Sequence, residues 1–149
     1  EALLDFSPDG RSLAKSTDFQ TITISDVLSD QVTATITPGG PFSAASFSPD
    51  GSRLVVGSGE EWAAMIYDAA SGELLDTVTG FETAAPVYNV RFGSDGASLV
   101  WMARGSIQVE QITGQTLGAD IGHEDFITAY HLSHSGSLLA TRSERGDKR

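Results

Sequence analysis

Three residues near the C-terminal end of the chain have the side chains of a hydrolytic triad. They are His123, Ser143 and Asp147, and when such side chains are in contact they activate the serine for acyl transfer. The alternative is that the three form a structural hydrogen-bond chain.

Two other groups of residues suggest metal or phosphate chemistry. His131 and His134 are three residues apart, but on a strand that runs into a turn they point to opposite faces, and no third ligand is obvious. The segment Gly57-Ser58-Gly59 lacks the lysine and the helix of a phosphate-binding loop. We therefore expect no metal, no cofactor and no catalytic residue, and we expect that the chain is not an enzyme.

A five-residue phrase, Phe-Ser-Pro-Asp-Gly, organises the whole chain. Exact copies occupy residues 6–10 and 47–51, a partly matching copy occupies 92–96, and a more divergent one occupies 132–136. The copies are 41, 45 and 40 residues apart, which is the period of a repeat architecture. Each lies between short apolar runs and predicts a strand, a type I turn closed by a glycine at positive φ, and a second strand. The bulky residue before each turn is predicted to point inward: Phe6, Phe47, Phe92 and Leu132.

The aspartates of this phrase, Asp9, Asp50 and Asp95, resemble calcium ligands or the Asp boxes of sialidases. An Asp box separates its aspartate from its glycine and continues to a tryptophan, whereas here glycine follows aspartate directly. Aspartate tolerates the backbone conformation at the third position of a type I turn. We therefore predict that these aspartates are turn residues.

Alternating apolar residues predict about four strands in each period. The predicted strands are near residues 2–6, 12–16, 21–25, 32–37, 43–47, 53–57, 64–68, 74–79, 87–92, 98–103, 107–111, 115–120, 127–132 and 137–143. Four antiparallel strands in 40–45 residues are typical of a β-propeller blade. We predict one all-β domain over residues 1–149, with units at about 1–38, 39–80, 81–121 and an incomplete 122–149.

The composition limits the partners of the chain. The 149 residues carry a net charge of −11, which disfavours nucleic acid as a partner. No apolar run approaches the ~20 residues that span a bilayer, so we expect no membrane partner. Cysteine is absent, which fits a reducing compartment, and we expect a cytoplasmic protein.

Over nearly its whole length the sequence resembles the WD40-repeat family. Gly122-His123 matches the Gly-His that precedes the inner strand of a WD40 repeat, the phrase matches the turn that follows it, and Tyr67-Asp68 stands in the place of Trp-Asp. No unit has a true Trp-Asp, so the repeats are divergent. The resemblance implies a propeller that serves as a rigid interaction scaffold or sensor module, often within a large multidomain signalling protein.

The resemblance also implies a structural role for the three residues that have the side chains of a hydrolytic triad. In the family, the histidine before the inner strand bonds a Ser or Thr of the second strand, which leads to an Asp in the next turn. The corresponding residues are His123, Thr141 or Ser143, and Asp147. With Tyr67 and Asp68, they make up the expected structural network.

A protein partner is expected at the connections between second and third strands and between repeats, where propellers usually bind. Trp62, which follows two acids, could anchor a ligand there, or it could pack on the neighbouring blade and leave the acids solvated. The acids favour a partner with a basic surface, whereas Trp101 is predicted to be core. The residues of this predicted binding surface, the loop face, are Glu60, Glu61, Trp62, Phe81, Glu82, Glu124 and Asp125.

The strand count gives three full units and two strands of a fourth. Such an arc would leave apolar blade faces and a sheet edge in water. We expect the remaining blades to come from the rest of a longer parent chain, or else from self-association into a complete ring. A further alternative is the non-catalytic propeller of a hydrolase whose catalytic domain lies elsewhere in the parent.

Overall fold

The computed structural model describes residues 2–16, 18, 20–59, 63–79, 87, 89–103, 106–112, 121–122, 127–132 and 139–143. Every regular element among these residues is a β-strand, which confirms the all-β prediction. In the part of the chain that the structure describes, no helix is long and apolar enough to cross a membrane.

The strands form antiparallel sheets, one for each repeat, in which consecutive strands pair. The first sheet contains β1 (Ala2–Phe6), β2 (Ser12–Ser16), β3 (Ile22–Asp26) and β4 (Val32–Ile36). The second contains β5 (Phe42–Phe47), β6 (Arg53–Ser58), β7 (Ala64–Asp68) and β8 (Leu74–Val78). The third contains β9 (Asn89–Phe92), β10 (Ser98–Ala103), β11 (Ser106–Gln111) and β12 (Ile121–Gly122). The fourth contains β13 (Ile127–Leu132) and β14 (Leu139–Ser143).

These bounds agree closely with the predicted strands, with one exception. The predicted strand at 115–120 lies outside the described residues. The described fourth strand of the third sheet is β12, in which Ile121 pairs with Ile107 and Gly122 with Ser106. The four-stranded antiparallel unit predicted from the repeat period is thus present in the first three repeats.

The turn of the repeated phrase has the predicted geometry in the first three repeats. The amide of its glycine donates to the carbonyl of the residue three before it, at 2.8 Å for Gly10 and Gly51 and 3.0 Å for Gly96. These glycines have φ of 71°, 73° and 64°, a conformation that residues with a Cβ rarely adopt. Gly136, the matching glycine of the fourth repeat, lies outside the described residues.

The sheets pack face to face, so that each interface is an apolar core. Adjacent residues of one strand face opposite neighbours, since Leu54 contributes to the core shared with the first sheet and Val55 to the core shared with the third. Trp101 is 1% exposed in the second of these cores, as predicted. A third core joins the third and fourth sheets through Ile107 and Tyr130. Each sheet therefore depends on its neighbours to bury its faces.

The inward direction predicted for Phe6 is wrong. Phe47 and Phe92 are 6% and 7% exposed in the cores they share with the preceding sheet, but Phe6 is 48% exposed. The reason is positional, because no described sheet precedes the first one to cover this face. The side chain of Leu132, the fourth member of the set, lies outside the described residues.

Candidate functional site

The seven residues of the predicted loop face lie outside the described part of the chain. These are Glu60, Glu61, Trp62, Phe81, Glu82, Glu124 and Asp125. The loop face therefore stays a prediction.

The expected structural network is described only in part. His123 and Asp147 lie outside the described residues, as does the side chain of Ser143. Thr141 is described on β14, where it pairs with Tyr130 and is 9% exposed. The burial of this hydroxyl-bearing side chain beside the inner strand is compatible with a structural role.

Tyr67 and Asp68, the other members of this network, lie in the second sheet. The Tyr67 side chain is 5% exposed, and its hydroxyl lies 3.4 Å from Sδ of Met65. The Asp68 carboxylate accepts hydrogen bonds from the amides of Ser71 and Ala70 at 2.8 and 3.0 Å, and these bonds, with one from the Ser71 hydroxyl, lower its pKa. Asp68 thus shapes the β7–β8 turn.

The carboxylates of the repeated phrase are occupied by donors of their own turns. Asp50 accepts hydrogen bonds from the hydroxyl of Ser48 at 2.6 Å, and from the hydroxyl and the amide of Ser52 at 2.8 and 3.0 Å. These bonds lower the pKa of Asp50 to about 2. Asp9 is held in the same way by Ser7 and the amide of Arg11. The turn role predicted for these aspartates is confirmed.

In the third turn, a serine at a different position donates the hydroxyl hydrogen bond to the aspartate. Gly93 replaces the serine that precedes the proline in the other copies, and the hydroxyl of Ser98 donates to Asp95 at 2.8 Å instead. A Cβ at Gly93 would overlap the Ser98 hydroxyl, which shows that the second serine fills the space of the first. Burial acts to raise the pKa of Asp95, but bonds from the amides of Ala97 and Ser98 and from the Ser98 hydroxyl outweigh it and lower that pKa. Within the described residues, no group of three or more acidic, histidine or cysteine side chains could hold a metal ion.

A cavity of about 410 Å³ lies beside the first strands of all four sheets. Its walls include the bulky residues before the turns and the residues two positions after them: Phe6, Phe47, Phe92, Pro8, Pro49 and Ser94. Its other four lining residues occupy one position of the repeat, directly before the bulky residue: Asp5, Ser46, Arg91 and His131. The sequence analysis did not find this site. The sequence did contain a signal for it. The position directly before the repeated phrase holds an acid, a hydroxyl, a base and an imidazole in the four repeats, although the residues that follow it are similar.

The acidic residue of the cavity, Asp5, is hydrogen-bonded to the neighbouring sheet. The carboxylate of Asp5 accepts hydrogen bonds from the hydroxyl of Ser46 at 2.8 Å and from the amide of Phe47 at 3.0 Å, both in the next sheet. Its other oxygen accepts from the amide of Phe6 at 3.0 Å. Asp5 thus joins the first two sheets and has three of its acceptor positions filled.

The two basic residues of the cavity have unused donors. Arg91 and His131 are exposed, and within the described part of the chain neither side chain has a hydrogen-bond or ion-pair partner. Tyr130, next to His131, is firmly placed, because it is 4% exposed and its hydroxyl donates to the carbonyl of Val100 at 3.0 Å. Burial raises the pKa of Tyr130, and the positive charge of Arg91 opposes that rise. A guanidinium with free donors is suited to carboxylate or phosphate oxygens.

Comparison with the known protein families gave no match, and neither did comparison with curated proteins. What supports a function is therefore the repeated fold and its cavity.

A buried acid marks the interface between the second and third sheets. Glu110 occupies the repeat position of Tyr67, since Glu110 pairs with Leu99 as Tyr67 pairs with Leu54. It is 5% exposed, and its burial raises the pKa of its carboxyl. Glu110 therefore weakens this interface when it is ionised.

Proposed function

We propose that the chain is a WD40-like propeller segment that serves as a rigid protein-interaction platform, within a larger multidomain signalling protein. One observation carries the proposal: a repeated frame of stacked sheets presents different polar side chains at equivalent positions around one cavity. Rigid scaffolds that vary their presented residues are typical of binding modules. The proposed mechanism is presentation of a binding surface, with no catalytic step.

Side-chain contacts between the sheets support a rigid frame. Arg53 in the second sheet donates to the carbonyl of Gly96 in the third at 2.6 Å, and its guanidinium lies 5.0 Å from the centre of the Phe92 ring. Asp5 joins the first and second sheets in the same region. These contacts link the first sheet to the second and the second sheet to the third.

We propose that the loop face binds a partner with a basic surface. The acids Glu60, Glu61, Glu82, Glu124 and Asp125 support this assignment through their charge. A cytoplasmic location is proposed with it, on the absence of cysteine.

The platform proposal can be tested by affinity purification of bound partners with matched charge reversals. Glu61→Lys and Trp62→Ala are expected to lose the captured partner, while their circular dichroism spectra stay unchanged. Glu73→Lys is the control, because Glu73 is an exposed acid of the β7–β8 turn, outside the loop face. Equal capture by all variants, or loss of folding in Trp62→Ala, would contradict the proposed binding surface.

Self-association is a second candidate, favoured by the exposed face of the first sheet. Phe6 is 48% exposed at a position where its equivalents are buried, and a sheet of a second copy could cover it as the first sheet covers Phe47. Sedimentation at increasing protein concentration tests this candidate. A monomer at every concentration would reject it and leave the platform proposal unaffected.

A further inference from the structure

We infer that the cavity at the first strands binds a carboxylate of an acidic peptide segment, with Arg91 as its main anchor and His131 as a second donor. This inference rests on the proposed function, because it takes the ligand to be part of a protein partner. It concerns the end of the sheets that carries the β1–β2, β5–β6 and β9–β10 turns, so its ligand differs from that of the loop face.

Arg91 is the unusual residue of this cavity. The chain has 20 acidic and 9 basic residues, yet Arg91 has no ion-pair partner among the described residues. The acid that shares the cavity, Asp5, is engaged by Ser46 and by two amides. Arg91 therefore keeps its forked donors for another carboxylate, to which it can bond with two parallel hydrogen bonds.

The walls of the cavity indicate what carries the carboxylate. Pro8 and Pro49 are exposed in its walls, so an apolar surface lies next to the polar positions. The volume of about 410 Å³ is at the lower end of the range of ligand pockets, roughly 300–1,000 Å³. This space suits an acidic side chain together with one apolar neighbour, as two adjacent residues of a peptide provide.

Binding can be measured by fluorescence anisotropy of a labelled peptide, Gly-Gly-Glu-Phe-Gly-Gly, with blocked ends. The same peptide with glutamine in place of glutamate is the matched probe. We expect the glutamate peptide to bind about tenfold or more tightly than the glutamine peptide, since hydrogen bonds to charged groups are the stronger ones. Added salt should weaken only the binding of the glutamate peptide, because the pair is partly exposed.

Variants of the protein separate the cavity from general charge effects. Arg91→Gln is expected to weaken binding of the glutamate peptide about tenfold or more, and His131→Asn about threefold. Arg142→Gln removes the same charge from an exposed arginine of β14 outside the cavity, and should leave the affinity unchanged. Arg91→Lys keeps the charge but not the fork, so an intermediate loss is expected even if Arg91→Gln fails to fold.

Three results would overturn the inference. The first is equal binding of the glutamate and glutamine peptides, and the second is an equal loss of peptide affinity in Arg91→Gln and Arg142→Gln. The third is full competition by free 3-phenylpropionate at the peptide's own concentration, which would show that the ligand is a small acid. Failure of the platform proposal looks different. If Glu61→Lys leaves partner capture intact while Arg91→Gln loses the peptide, the loop face is wrong and the cavity assignment stands.

Discussion

Replacing Phe47 by alanine should remove a large part of the stability of the chain. The Phe47 ring is 6% exposed and packs between the first and second sheets. Buried phenylalanine-to-alanine changes cost about 3–5 kcal/mol, because the apolar transfer energy is lost and a cavity remains. Domains of this kind are stable by only about 5–15 kcal/mol, so the loss is easily measured.

The same change at Phe6 is the matched control. Phe6 holds the equivalent repeat position, but it is 48% exposed, so about half of its apolar surface is already in water. With about half the area to lose and little cavity to form, Phe6→Ala should cost about 1–2 kcal/mol. The two variants should therefore differ by about 1–4 kcal/mol.

Urea unfolding followed by circular dichroism and tryptophan fluorescence measures both costs. Trp101 is buried between the second and third sheets and reports on an interface that neither substitution touches. The dependence of the unfolding free energy on urea should stay the same, which licenses the comparison of midpoints. Equal costs for Phe6→Ala and Phe47→Ala in dilute solution would refute the face-to-face stacking. A cost of Phe6→Ala that grows with protein concentration would instead show that a second copy covers Phe6.

Three further substitutions test local features of the sheets and turns. Ser98→Ala should lower the unfolding free energy by about 1 kcal/mol in the natural chain. In a Gly93→Ser background it should not lower that free energy, because it removes the overlap between the Ser98 hydroxyl and the new Cβ, and the new hydroxyl replaces the lost one; an equal loss in both backgrounds would contradict the exchange of serines. Glu110→Gln should raise the melting temperature near neutral pH, because burial raises the folded-state pKa of Glu110 and its charged form destabilises the interface. The gain should vanish below about pH 4, where the carboxyl is protonated in both the folded and the unfolded state. A gain that persists in acid would contradict the role of ionisation. Gly72→Ala should cost about 2 kcal/mol or more in urea unfolding, since Gly72 has φ of 76° and a methyl there would lie 2.6 Å from a main-chain oxygen of β4. Gly10→Ala should cost less, because Gly10 has a similar φ of 71° but open space around it. Equal costs would show that the contact with β4 does not contribute.

Local patterns made most of the fold predictable. The strands next to each turn could be bounded because proline, aspartate and glycine impose one turn geometry, and the apolar alternation on both sides has the period of a strand. β2, β7 and β10 have the predicted bounds without change. The glycine at positive φ also explains why the turn at Gly96 could be recognised after its proline was lost.

Contacts between distant repeats could not be predicted in the same way. The exposure of Phe6 depends on whether a sheet lies in front of it, and the phrase around Phe6 is the same as that around Phe47. The cavity also depends on the packing of sheets, since Asp5 meets Ser46 across 41 residues of chain. The loop face was inferred from the sequence but falls on residues outside the described ones.

The exchange of serines in the third turn has a consequence for how such proteins are detected. In the first repeat Ser7 and Ser12 are both present, and only Ser7 bonds the aspartate, so a spare hydroxyl stands ready five positions downstream. A repeat with this second serine can lose the first one and keep the same turn geometry, as the third repeat does. A method that scores each sequence position separately counts that loss as a mismatch, although the turn keeps its hydrogen bonds and its glycine at positive φ.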